Sequence, residues 1–300
     1  MTPSNAPAAR AGNRVPSRSS RNPKTPRSPC PLARIQRRPA HLGPLDFLAF
    51  TGLWPAAVAA ALVSASALAL PGPLATTPLL AMIALSVAGT LVVYNIDRLR
   101  DLGEDALTAP ARSAFVSRHR RALQTLTALS AVAAIPAALA LPIRAWAMCA
   151  LAGALGLFHR RLKKAHPGLA VLYITLAWIA VVVGLPAICF ALDSGGLAPA
   201  MVAAGALGPA IAANLVASEL RGHPPDTESR RRLRRAGAMA LLGGLAPLAH
   251  PPSWPLILPA LFAWASVVGF RNSERYGLLV LDGALLVGAL AAAAGLAATR

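Results

Sequence analysis

Nine stretches of this chain read as apolar runs of bilayer-crossing length, and that repetition constrains the fold more than any single motif. A membrane-spanning helix needs about 20 mostly apolar residues. The runs fall at about 46–69, 76–97, 120–141, 143–159, 168–191, 197–219, 234–250, 253–270 and 277–298. The fourth and seventh are short. Helix breakers mark the joints: Pro71-Gly72-Pro73, Pro142, Pro167-Gly168, Gly195-Gly196 and Pro251-Pro252. Only 13% of the residues are charged, against about 25% in soluble domains. Aromatics make up 5%, so the apolar bulk is Ala, Leu, Val and Gly, which suits closely packed membrane helices. The expected fold is an all-α integral membrane protein, a bundle of nine transmembrane helices spanning 44–300.

Charge sets the orientation. The loops after runs two, four, six and eight hold 18 Arg or Lys, and those on the opposite side hold two, Arg144 and Arg300. Basic loops stay on the cytoplasmic side, so the N-terminus is expected inside and the C-terminus outside, in a plasma membrane of the bacterial inner-membrane kind. Residues 1–43 add nine basic residues and no acid. They are rich in Pro, Ser and Arg and read as a disordered tail lying near anionic lipid, with an organellar transit peptide as the other reading. No aromatic interleaving supports nucleic-acid binding. Cys30, Cys149 and Cys189 form no metal-binding or disulfide pattern.

The eleven acids are unevenly placed. Asp97, Asp101, Glu104 and Asp105 follow the second run, and Glu219, Asp226 and Glu228 follow the sixth. Asp97, Asp101 and Asp105 are four apart, which stacks them on one helix face. A row of carboxylates delivered to the membrane surface points to a divalent cation and an anionic ligand. A solvated face paired with Arg98 and Arg100 is the plainer alternative. Asn214, Ser218 and Glu219 end the sixth run, where a carboxylate at membrane depth faces the bundle interior. Asp282 falls inside the last run and is a functional candidate for the same reason.

These features resemble the UbiA prenyltransferase superfamily, whose nine spans carry acid-rich motifs after the second and sixth. Asp101, Asp105, Pro110 and Arg112 match the end of the first motif and its downstream proline and arginine. Asp97 stands where that motif has Asn, and Arg98 where it has its first Asp. Glu219, Arg221 and Asp226 match the second motif, with Gly222 in place of its middle Asp. Phe158, Leu162 and Lys163 resemble the family's aromatic and Leu-Lys after the fourth span. The resemblance implies a Mg²⁺-dependent prenyltransferase acting on a prenyl diphosphate and a lipophilic acceptor, often aromatic, in contact with membrane lipids. It implies catalytic roles for Asp97, Asp101, Asp105, Glu219 and Asp226, of which Asp101, Asp105, Glu219 and Asp226 would hold metal. Arg112, Lys163, Arg221 and Asn214 would bind diphosphate. The alternatives are a UbiA-like protein with altered or lost activity, and a transporter with Asp282 and Glu219 on an ion path.

Overall fold

A computed structural model describes residues 43–103, 109–165, 169–191, 197–221 and 226–300. The expected basic tail, apart from Gly43, lies outside the described residues, as does Asp105. Among the described residues there is no strand. The helices are α1 (Pro44–Phe50), α2 (Leu53–Ala69), α3 (Thr76–Arg100), α4 (Pro110–Arg118), α5 (Arg120–Leu139), α6 (Ile143–Ala165), α7 (Ala170–Phe190), α8 (Leu197–Glu219), α9 (Thr227–Gly243), α10 (Pro251–Val268) and α11 (Tyr276–Ala298).

Six of them are long and apolar enough to cross a membrane: α3, α5, α7, α8, α10 and α11. A seventh span results if α1 and α2, bent by 74° at their junction, are taken together. The hydropathy reading expects nine, and the two remaining runs are those that are short in sequence. Run 143–159 is the apolar part of α6. Run 234–250 divides between the end of α9 and a 3-10 turn over Ala246–Ala249. The bend between α1 and α2 sits at Gly52, whose φ of +83° is a left-handed conformation that favours glycine. Around Pro186, α7 widens into π-helical turns at Ala180–Gly184 and Ala187–Ala191, because a proline leaves the preceding turn short of a donor.

Alanine and glycine let the helices approach closely, as the composition predicts. On α8 the face Ala203, Ala206, Ala210, Ala213 and Ala217 is wholly buried. Helix α8 packs against α9 and α10. A Cβ on Gly288 of α11 would lie 2.7 Å from the Pro259 Cα of α10, and one on Gly243 of α9 would lie 2.7 Å from the Pro209 ring of α8. The outward faces carry large apolar side chains such as Leu129, Ile135, Ile143, Leu172, Met201 and Leu290. Such a surface is stable in lipid and not in water.

Element contacts run from α11 to α2, α2 to α3, α3 to α5 and α6, α6 to α7, and α7 to α8. Helix α8 then meets α9 and α10, and α10 returns to α11. At the end where α3 and α8 carry their acids, α4 seats a small second core. Phe115 and Val116 pack there with Ala49, Phe50, Leu123 and Leu278, and the Phe115 ring packs against those of Phe47 and Phe50. Asp46 on α1, 6% exposed, pairs with Arg275 at 2.8 Å and so ties α1 to the start of α11.

Candidate active site

The bundle encloses a cavity of about 480 Å³ lined by α3, α6, α7, α8 and the start of α11. Its two ends differ chemically. Leu85, Met148, Ala152, Val181 and Leu185 line an apolar part, while Asp97, Asp101, Arg112, Glu219 and Arg221 line a charged mouth. Helix α3 supplies one wall by its period. Ser86, Gly89, Thr90, Val93, Tyr94, Asp97 and Asp101 all face the cavity at the three- and four-residue spacing of a single helix face. A Cβ on Gly89 would meet nothing within 4 Å, so this glycine leaves the wall recessed.

Asp97 and Asp101 face one cavity together, as their spacing predicts. Asp97 has a specific partner: its Oδ1 lies 3.2 Å from His159 Nε2 on α6. His159 Nδ1 lies 2.8 Å from the Gly156 carbonyl oxygen. Both ring nitrogens therefore face oxygens, and a ring that satisfies both carries both protons. Gly156 makes this approach possible, since a Cβ there would come within 2.9 Å of Val93 on α3. Tyr173 on α7 donates to the His159 carbonyl at 2.7 Å. Arg98 turns away from solvent. It is 5% exposed, its Nη1 donates to the Phe50 carbonyl at 2.6 Å, and its guanidinium stands 5.7 Å from the Tyr94 ring centroid. It anchors α3 to the bend between α1 and α2.

Helix α8 supplies the opposite wall. Asn214 Nδ2 donates to Asp282 Oδ1 at 3.4 Å, and Ser218 Oγ reaches Asn214 Oδ1 at 3.5 Å. Arg221 Nε donates to the Ser218 carbonyl at 2.8 Å, which folds its side chain back over the end of α8. Gly277 gives it room. A Cβ at that position would collide with Arg221, coming 2.7 Å from Nε. Burial pushes Arg221 below the usual arginine range, opposed by the fields of Asp282 and Glu274. Glu219 faces the cavity and lies 3.5 Å from Arg232 on α9.

Arg112 reaches the mouth from α4, and its backbone N–H donates to Glu274 Oε1 at 3.1 Å. Burial pushes the Glu274 carboxyl up, opposed by the Arg112 backbone and by the guanidinium groups of Arg112 and Arg221.

Asp226 stands apart from this arrangement. It is exposed and caps α9, accepting from the Ser229 N–H at 2.7 Å, and that bond holds its carboxyl below the usual carboxylate range. Its position in sequence, one residue before a Thr-Glu-Ser-Arg helix start, is that of an N-cap. Asp226 is absent from the residues lining the cavity. Lys163 lies on α6, with its side chain outside the described residues. Two residues gain roles that their sequence context does not announce. His159 reads as an interfacial residue at the end of the fourth apolar run, and Glu274 as a lone acid in a short loop. Tyr94 could be found as the i−3 neighbour of Asp97 on the same face.

Among the described residues, no group of three or more His, Cys, Asp or Glu converges as a metal cage. Magnesium rarely uses one. It takes one or two carboxylates, several waters and the phosphate oxygens of its ligand. Asp101 at the C-terminal end of α3 and Glu219 on α8, two hard oxygen donors facing one cavity, fit that chemistry.

No protein-family model matches the chain, and no curated protein does. Among solved structures, the chain is similar to a digeranylgeranylglyceryl phosphate synthase of membranes, over 81% of this chain and 98% of that one, at 12% identity and a TM-score of 0.49.

Proposed function

We propose that this chain is a Mg²⁺-dependent intramembrane prenyltransferase of the UbiA type, working in a plasma membrane of the bacterial inner-membrane kind with its charged mouth at the cytoplasmic face. The observation that supports the reading most is the shared cavity. Acids and cations from two motifs more than a hundred residues apart, Asp101 and Arg112 in one and Glu219 and Arg221 in the other, line the same mouth above an apolar groove. That pairing matches an amphiphile with an anionic head and a hydrocarbon tail.

Asp101 and Glu219 are the proposed holders of the metal, joined by Asp105. Magnesium, when bound, neutralises the diphosphate as a leaving group. Arg112 and Arg221 are the proposed phosphate clamps, since a guanidinium offers paired donors to phosphate oxygens. Lys163 would add a point charge from α6. Asp97 holds His159 against α3 and so keeps a further cationic side chain beside the mouth. The apolar walls of α6 and α7 would take the prenyl chain. The allylic carbon passes to a nucleophilic atom of a lipophilic acceptor, and the proton the acceptor loses ends in water.

A second reading, ligand binding without turnover, is favoured by Asp226, which caps a helix where the second motif would place a cavity carboxylate. One experiment tests both. Purified protein is titrated with labelled geranylgeranyl diphosphate with and without Mg²⁺, and released diphosphate is followed. Binding that needs Mg²⁺ and weakens about tenfold or more in Asp101→Ala and Glu219→Ala is expected. Metal-independent binding, or binding unchanged in both variants, overturns the assignment. Binding without diphosphate release favours the second reading.

A further inference from the structure

The proposed function leaves Asp282, a carboxylate that lines the cavity, unused. Asp282 lies in the first part of α11, directly after a π-helical turn over Tyr276–Leu281. Such turns recur at functional sites, where they redirect a side chain. Asp282 lines the main cavity, and it also borders a smaller pocket behind, together with Tyr94, Asn214 and apolar Val58, Leu62 and Leu285. A carboxylate in such surroundings is costly and is kept for a purpose. Its hydrogen-bond partner is Asn214 at 3.4 Å, and its charged neighbours are Arg221 and Arg98.

Its depth matters. Asn214 precedes Glu219 on α8 by about 7 Å of helix rise, and Tyr94 precedes Asp101 on α3 by about 10 Å. Asp282 accepts from Asn214 and borders one pocket with Tyr94. It therefore sits one to two turns inward of Asp101 and Glu219, with the Arg221 side chain folded back toward it beside Gly277. A diphosphate held at that mouth by Arg112 and Arg221 points its esterified carbon inward, to the level of Asp282.

We propose that Asp282 is the counter-ion of the reacting allylic carbon. The inference rests on the transferase reading above. In the step concerned, the bond from C1 to the diphosphate oxygen breaks and its electron pair leaves on the diphosphate. An allylic cation remains, delocalised over C1 and C3, and no proton moves. A fixed anion beside a developing cation in a site with little water stabilises it strongly and needs no reorganisation. Arg221 lies between the two charges and would divide itself between them. Diphosphate draws it toward the mouth and leaves Asp282 to face the carbon. Asn214 then holds the carboxylate in place.

The test separates charge recognition from turnover and needs no acceptor. Protein in nanodiscs with Mg²⁺ and inorganic diphosphate is titrated with farnesyl-dimethylamine, which is cationic at pH 7, and with neutral farnesol. Wild type should prefer the amine by about 30-fold, and Asp282→Asn should lose that preference while binding inorganic diphosphate within about threefold of wild type. Asp282→Glu should keep the preference. Should Asp282→Asn fail to fold, a lipophilic carbodiimide applied to wild type, with the adduct mapped to Asp282, should abolish the preference instead. A preference that survives either change, or a wild type that binds amine and alcohol alike, overturns the inference. A wild type that binds neither inorganic nor prenyl diphosphate overturns the transferase reading itself.

Discussion

Asp97, Asp101 and Asp105 look alike in the sequence, and the structure gives the first of them a different task. Asp97 is occupied by His159 across the α3–α6 contact, while Asp101 faces the mouth of the cavity. Helical spacing made their common face legible. It could not show the histidine, because that partner arrives from a helix more than 60 positions later and depends on Gly156 opening the approach to Val93. The same limit explains Asp226. By spacing alone it is a motif acid, whereas its local context makes it a helix cap. Glycine carries a testable role at Gly277, which leaves room for Arg221. Replacing it with alanine should push the guanidinium out of place and weaken diphosphate binding by about tenfold, the scale of one lost charge-assisted bond. The thermal midpoint should move by no more than about 5 °C. Unchanged binding in isothermal titration would remove Arg221 from the site.

The elements show a comparable division between what periodicity reveals and what packing adds. Nearly every apolar run expected from hydropathy is found as a helix, because length and composition suffice to force helical hydrogen bonding in lipid. The break at Gly52 and the π-helical turns around Pro186 come from local backbone chemistry, whereas the placement of α4 depends on contacts between distant segments. Helix α4 is held by Phe115 in the small core and by Glu274, which accepts from the Arg112 backbone. Glu274 also makes that attachment sensitive to pH. Its carboxyl is pushed up by burial, so folding favours its neutral form. The stability this contributes is present below the unfolded-state carboxylate range and is lost as pH rises through the folded-state value. Glu274→Gln lacks that loss. Its thermal midpoint relative to wild type should therefore rise between pH 4 and pH 7, and a difference that stays flat or falls would contradict the assignment. Deeper in the bundle, Gly288→Val should drive α11 away from Pro259 and cost about 1–3 kcal/mol, measured as a lower midpoint in detergent.

At the scale of the whole molecule, the open question of topology reduces to α9. The distribution of Arg and Lys requires an odd number of crossings between the 226–235 segment and the C-terminus, since the first belongs with the basic loops and the second does not. Helices α10 and α11 are long and apolar enough for two, which leaves the third to α9 and the turn after it. Taken alone, α9 is poorly suited. Arg230–Arg232, Arg234 and Arg235 occupy its first turns, and the apolar remainder from Ala236 to Gly243 rises only about 11 Å. Its surroundings compensate. Gly243 and Gly244 bring it against Pro209 of α8 and Ala260 of α10, and the chain continues through a 3-10 turn over Ala246–Ala249 before α10 begins. Irregular backbone is tolerated at membrane depth where protein surrounds it, so this combination can complete the crossing. An alkaline phosphatase fused after Arg300 should then be active, and the same reporter inserted at Ser229 should be silent, with fluorescent-protein fusions giving the reverse pattern. Activity at both positions or at neither would place α9 on one surface of the membrane. The bundle would then have an even number of spans, and the charge asymmetry would no longer account for its orientation.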